Sequence, residues 1–160
     1  MIYNNNTKEN NTKLMGGEHM TIEIIKKDLF TIGNNYYLVH CISADFALGA
    51  GIAKTFNSKY NMRFKLFNNY PNYVYRGGDA LLVDNVFNLV TKAKCFQKPT
   101  YESLTESLEM MRDKITLLNI NNLAMPMIGC GLDKLQWSRV KNIIENVFID
   151  TDINIIVCTI

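Results

Sequence analysis

Leu123-Ala-Met-Pro-Met-Ile-Gly-Cys-Gly-Leu-Asp-Lys-Leu-Gln-Trp137 is the stretch that decides how this chain is read. Leu123 to Ile128 is a short apolar run of the kind that forms a buried strand. It breaks at Gly129-Cys-Gly-Leu-Asp133, and a helical pattern follows from Gln136. A glycine-bearing loop between a strand and a helix aims bare backbone N–H groups at an anion, with the positive end of the helix behind them. A second run of the same kind, Gly49-Ala-Gly-Ile-Ala53, follows the apolar run Tyr36–Ile42 and leads into a helix predicted over Ala50–Tyr60. Two such loops in one small domain imply a ligand with more than one phosphate. The carboxylate that closes the second loop implies chemistry as well as binding.

Outward from these loops, strands and helices alternate. Thr21–Lys26 reads as a first strand and Asp28-Leu-Phe30 as a turn. Arg63–Tyr70 reads as a second short helix. Ala80–Val83 and Val86–Thr91 form a hairpin closed at Asp84-Asn85. Thr100–Leu118 is helical, with Leu104, Leu108, Met111, Ile115 and Leu118 on one face. Gln136–Ile149 is another helix, with Val140, Ile143, Ile144, Val147 and Phe148 inward, and Ile153–Ile160 is a closing strand. This order predicts an α/β fold with a mixed sheet and helices on both sides. In such sheets ligands sit beyond the carboxyl ends of the strands, where both glycine runs fall.

The bulk numbers set limits. The 160 residues, 48% hydrophobic and 20% charged, suit one domain with its own core. A net charge of +2 is too small to argue for nucleic acid or membrane binding by bulk electrostatics. No run approaches the length of a membrane span. Residues 1–20 are polar, lack the apolar core of a secretory signal, and read as a flexible tail before a domain over 21–160. Gly16-Gly-Glu-His-Met20 has the look of a junction, with Met20 as the start of the natural chain. The four cysteines, Cys41, Cys95, Cys130 and Cys158, form no C-x-x-C pair and read as buried thiols of a reducing, cytoplasmic setting. With two histidines far apart, His19 and His40, no metal site is expected.

Each chemical residue also has a plain structural reading. Gly49-x-Gly51 fits a tight strand-to-helix turn; it lacks the Gly-Lys-Ser/Thr of a P-loop, and Lys54 stands where a dinucleotide fingerprint needs a third glycine. Asp133-Lys-Leu-Gln136 has the form of a capping box for the last helix. Lys92, with Lys94 on the same face, fits a solvated strand end. His40 fits a satisfied core histidine beside Ser43 at a buried strand terminus.

The motifs taken together are more specific. His40-Cys-Ile-Ser43 with Leu48-Gly-Ala-Gly-Ile-Ala53, Lys98-Pro-Thr-Tyr-Glu102, and above all Met125 to Trp137 resemble the macrodomains of the terminal ADP-ribose protein glycohydrolase type. The resemblance covers about residues 21–160. It implies a three-layer α/β/α sandwich around a mixed sheet that binds ADP-ribose as ligand and product, with no resident cofactor. Asp28 and Leu29 would hold the adenine end. His40, Ser43 and Gly49, Ala50, Gly51, Ile52 and Ala53 would serve the phosphates and distal ribose. Met127, Ile128, Gly129, Cys130, Gly131 and Leu132 would wrap the diphosphate and second ribose, with the chain's last residue, Ile160, near the ligand. Met127 stands where some relatives carry an arginine, which removes a phosphate-facing charge.

The resemblance assigns the catalytic pair to Lys92 and Asp133. A neutral lysine amine would attack the anomeric carbon of ADP-ribose esterified to Glu or Asp, after ring opening, displacing the carboxylate and leaving a covalent sugar adduct. Asp133 would move the protons and help release the adduct. The implied activity is an ADP-ribosyl hydrolase that also deacylates O-acyl-ADP-ribose, working as a monomer on ADP-ribosylated proteins. The alternatives are a binding module without turnover, an ADP-ribose 1″-phosphate phosphatase, and a hydrolase of ADP-ribosylated nucleobases, which would make nucleic acid the partner.

Overall fold

A computed structural model describes residues 19–160. The expected tail over 1–20 therefore lies almost wholly outside the described residues. Six strands form one sheet: β1 (Thr21–Lys26), β2 (Tyr37–Ser43), β3 (Asp79–Val83), β4 (Val86–Lys92), β5 (Asn122–Met125) and β6 (Asn154–Thr159). Their order is β1-β6-β5-β2-β4-β3. All neighbours are parallel except β3 and β4, the hairpin read from Asp84-Asn85. Asp84 takes a left-handed φ of 54° there, a conformation Asp tolerates better than most residues.

The four α-helices split between the two faces. α1 (Gly51–Tyr60) and α2 (Met62–Asn69) cover one face with the short 3₁₀ turn Leu29–Thr31. α3 (Tyr101–Leu118) and α4 (Trp137–Val147) cover the other. The sequence explains the division. Along β2, Leu38 and Ile42 turn to the α1–α2 side while Val39 and Cys41 turn to the α3–α4 side, the period of two that places successive side chains on opposite faces. On α3, Leu104, Leu108, Met111 and Ile115 are buried in the stripe the periodicity predicts, while Leu118 is exposed at the helix end. Thr100 caps α3 and exchanges hydrogen bonds with Ser103 in a capping box.

Most element boundaries lie within one residue of the reading of the sequence; the C-terminal ends of β5 and α4 differ by more. β5 stops at Met125 rather than Ile128, because Pro126 has no N–H to continue the ladder. α4 begins one residue after Gln136 and ends at Val147, with Phe148 buried as its C-cap residue. The cysteines are not uniformly buried: Cys158 is, Cys41 and Cys130 are half-buried, and Cys95 is exposed. No helix among the described residues is long and apolar enough to cross a membrane.

Candidate active site

The carboxyl ends of β2, β4 and β5 converge on one cavity of about 500 Å³. Both glycine loops line it: Leu48–Ala53 from the β2–α1 connection, and Pro126–Gly129 with Gly131–Asp133 from the β5–α4 connection. A second cavity, of about 640 Å³, opens beside it between the β1 end, α1 and the β6 end. Its walls include Lys26–Phe30, Lys59 and Ile160. Gly51, Ile52 and Pro126 belong to both, so the two cavities form one bipartite crevice.

The first loop ends in a true helix terminus. Ala50 is the N-cap of α1, in extended conformation, and offers no side-chain cap. The leading N–H groups of α1 are therefore left for a ligand or water. Together with the helix dipole they are able to hold an anion. The second loop is a free-standing turn pair. Cys130 N–H donates to the Met127 carbonyl, Lys134 N–H to Gly131, and Leu135 N–H to Gly129, before α4 starts at Trp137.

Two of the four loop glycines are required by the fold itself. Gly51 and Gly129 sit at φ +59° and +74°, where side chains are strained, and a Cβ on Gly129 would lie 2.9 Å from Leu135 Cδ1. Gly49 and Gly131 have no such reason. A Cβ on Gly49 would meet only the Ala47 carbonyl at 3.9 Å, and one on Gly131 would meet nothing within 4 Å. Their missing side chains leave room on the cavity side.

Lys92 and Asp133 meet in the cavity wall. The Lys92 ammonium donates to Asp133 Oδ1 at 2.9 Å, and the two side chains are 15% and 17% exposed. Lys92 is the last residue of β4, beside Ser43 at the end of β2, where the register shifts between Ile42 and Ser43. Such a bulge re-aims the residues at a strand end. Asp133 is not a cap for α4. Gln136 is the N-cap residue and has no side-chain cap bond, and its own N–H donates to the Tyr101 hydroxyl at 2.9 Å. The capping-box pattern is thus overridden by a tertiary partner 41 residues away.

Most of the residues the resemblance singled out line the crevice: Ser43, Gly49 to Ala53, Met127 to Gly129, Gly131 and Leu132 in the first cavity, and Asp28, Leu29 and Ile160 in the second. Two do not. His40 is fully buried, stacked on Phe56 with ring centroids 3.9 Å apart and hydrogen-bonded through Nε2 to Asn88 Oδ1 at 2.6 Å. The Asn88 amide nitrogen donates to the Leu81 carbonyl, so its Oδ1 faces His40 and Nε2 carries the proton. Desolvation outweighs that hydrogen bond and lowers the His40 pKa from 6.5 to about 4. Its role is support beneath α1. Cys130 packs against the α3–α4 core and points its thiol at the Ile128 carbonyl, outside the cavity wall.

Cys41 does line the cavity, but burial and then the charge of Asp133 push its thiol up to about 12. It stays protonated at neutral pH and is no nucleophile. Lys94, expected on the same face as Lys92, lines a different cavity, since β4 and its alternation end at Lys92. Lys98 is an addition: it lines the first cavity and donates to the Leu132 carbonyl at 3.0 Å, tying down the loop one residue before Asp133. Its place beside Pro99 in a recognisable motif was the available signal. Among the described residues no three His, Cys, Asp or Glu side chains gather as a metal site.

No protein-family model matches the chain. Individual proteins do. It is 41% identical over 147 residues to the ADP-ribose glycohydrolase OARD1 of Bos taurus, covering 89% of this chain and 94% of that protein. The human protein of the same name is 40% identical over the same span. Among solved structures, the macrodomain of Mycobacterium tuberculosis DarG superposes with a TM-score of 0.74 at 23% identity, over 90% of this chain and 100% of that one. The macrodomain of Thermus aquaticus DarG gives 0.70 at 19% identity, over 88% and 99%.

Proposed function

The chain belongs to the family of the OARD1 ADP-ribose glycohydrolases, within the macrodomains, and we propose from this that it removes mono-ADP-ribose from Glu and Asp side chains and deacylates O-acyl-ADP-ribose. One observation carries the catalytic part: an amine and a carboxylate 2.9 Å apart in the wall of the crevice that both glycine loops line.

In this reading the second cavity takes the adenosine, with Asp28, Leu29 and Ile160 around it. Asp28 Oδ1 already accepts the Phe30 N–H at 3.0 Å, which fixes the carboxylate at the cavity edge. The α1 terminus and the Met127–Leu132 loop take the diphosphate, and the distal ribose lies against Ser43 and Lys92. The Lys92 amine gives its proton to Asp133 and attacks the anomeric carbon. The carbon–nitrogen bond forms as the ester carbon–oxygen bond breaks, and the carrier's carboxylate departs with the bonding pair. Water then adds to the same carbon. Asp133, having passed the proton it took from Lys92 to the departing carboxylate, takes a proton from the water and gives it to the amine as the carbon–nitrogen bond breaks, so lysine and ADP-ribose are released together.

The neutral amine is the reactive form, and the ion pair is the resting form. Asp133 therefore does two things: it holds Lys92 in place and receives its proton. At 15% and 17% exposed, the two side chains have little water around them. The test is turnover of a Glu-linked ADP-ribosylated protein by wild type, Lys92→Ala and Asp133→Ala. The expected result is loss of product with both variants. Full activity in Lys92→Ala would sink the covalent route.

A further inference from the structure

The segments that end β2 and β4 form a ridge with two sides. Ser43, Lys92 and Cys95 face the catalytic cavity. The residues between them, Ala44 and Asp45 on one strand end and Ala93 and Lys94 on the other, line a third cavity of about 540 Å³. The two spaces are thus joined through a wall one or two residues thick.

The third cavity is aromatic. Phe46, Phe67, Tyr70, Tyr73 and Tyr75 line it, with Lys94 exposed among them. Phe46, 1% exposed, lies beneath the groove, 5.1 Å from Phe67 and 5.7 Å from Tyr73 between ring centroids, so the ring surface that reaches solvent is that of Phe67 and the tyrosines. The tyrosine hydroxyls are used inside the fold: Tyr70 donates to the Leu82 carbonyl at 3.1 Å and Tyr73 to Asp79 Oδ2 at 2.8 Å. The rings therefore offer apolar surface. Phe67 is 46% exposed, and Arg63 stacks over it at 5.2 Å while donating through Nε to the Phe46 carbonyl. Phe46 itself holds a left-handed φ of 55°, a strained conformation for an aromatic residue.

Nothing in the binding of ADP-ribose uses this space, since the glycine loops and the adenosine cavity lie on the other side of the ridge. We infer that the groove receives the carrier: an apolar or aromatic side chain of the modified polypeptide, close in sequence to the ADP-ribosylated Glu or Asp. This rests on Lys92 being the point of ester cleavage. Ser43 and Lys92 are register partners at the strand ends, so the groove begins next to the nucleophile. Lys94 stands exposed on its rim, so a reversed charge at that position would lie where the carrier passes.

A nucleic-acid strand fits less well, because a carboxylate is built into the wall. Asp45 accepts from the Ser43 hydroxyl at 2.5 Å and from the Cys95 and Ala47 N–H groups at 3.0 and 3.2 Å. Those bonds hold a fixed negative charge that a phosphodiester backbone would have to pass.

The experiment compares three substrates: a glutamate-linked ADP-ribosylated polypeptide, O-acetyl-ADP-ribose as an ester without a carrier, and an ADP-ribosylated oligonucleotide. Phe67→Ser is expected to lower kcat/KM on the polypeptide by about tenfold, as for removal of an aromatic anchor at an interface. O-acetyl-ADP-ribose turnover should stay within about twofold, and Phe67→Tyr should restore polypeptide turnover. Lys94→Glu, at an exposed position, should reproduce the selective loss if Phe67→Ser folds poorly. Equal losses on both esters, or no loss on the polypeptide, overturn the groove. So does a selective loss on the oligonucleotide, which would reassign it to nucleic acid. A wild type that cleaves neither ester overturns the hydrolase reading, and the carrier groove with it.

Discussion

The two glycine loops look alike in sequence and are built in different ways. Leu48–Ala53 is continuous with its helix: Gly51 is the first residue of α1, and the loop inherits the rigidity of a helix locked by Phe56 on His40. Met127–Asp133 is separated from α4 by three residues and held by local turns, by Lys98 on the Leu132 carbonyl, and by Lys92 on Asp133. In the proposed reading one loop is a fixed binding element. The other is anchored through the groups that would do chemistry. Leu132, 62% exposed, spans the two, with Cδ1 3.2 Å from where a Cβ on Gly51 would lie. The contrast teaches that similar strings set different degrees of coupling between binding and catalysis.

The sharpest break in the comparison is expected at the Lys92–Asp133 pair. Lys92→Ala should lower turnover of the glutamate-linked substrate by about ten-thousandfold or more, the scale seen when a nucleophile or its partner is removed. Binding of ADP-ribose, followed by calorimetry on the same variant, should weaken far less, because the α1 terminus does not depend on Lys92. Parallel losses of binding and turnover would show that the two loops act as one unit.

Acid should then separate the loops by stability. The His40 pKa is lowered on folding, so the unfolded chain binds the proton first. Stability from this group is full above pH 6.5 and falls as pH drops toward about 4, by about 3 kcal/mol over that window. Protonation would put a second N–H on Nδ1, a buried atom with no partner among the described residues. Urea unfolding at pH 7 and pH 4.5 measures the loss. Hydrogen exchange locates it: amides of α1, which rests on His40 through Phe56, should lose protection before those of α4. Asp45, whose hydrogen bonds overcome burial and hold it below the usual carboxylate range, adds a further loss only at lower pH.

Much of this architecture is legible in the residues, and the exceptions have physical causes. Alternation along β2, the α3 stripe and the Asp84-Asn85 turn are local signals, and the strands and helices follow them. Asp133 shows where local grammar fails: its spacing to Gln136 is that of a cap, yet Lys92, distant in sequence, competes for the carboxylate and takes it. His40 shows the same limit from the other side. A motif placed it beside Ser43, but His40 lies three residues before the end of β2, where its ring stacks on Phe56 beneath α1 and does not reach the cavity. The aromatic groove was invisible because Phe46, Phe67 and Tyr73 come together only after α2 folds back on the end of β2.

The smallest expected effects discriminate most finely between the loops, because they sort glycines by what requires them. Gly129→Ala should cost about 2 kcal/mol of stability, since φ is +74° and the new methyl would meet Leu135. Gly51→Ala should cost about 1 kcal/mol for its φ alone. Gly49→Ala and Gly131→Ala should change stability by less than about 0.5 kcal/mol, because neither position is strained or crowded. If the space they leave is occupied by the diphosphate, each should weaken ADP-ribose binding by about tenfold, equivalent to about 1.4 kcal/mol. Thermal unfolding without ligand and calorimetry with it separate the two quantities. A Gly131→Ala protein that is stable and binds as wild type would mean that the second loop does not approach the phosphates closely, and the first loop would then be left as the sole backbone grip on the ligand.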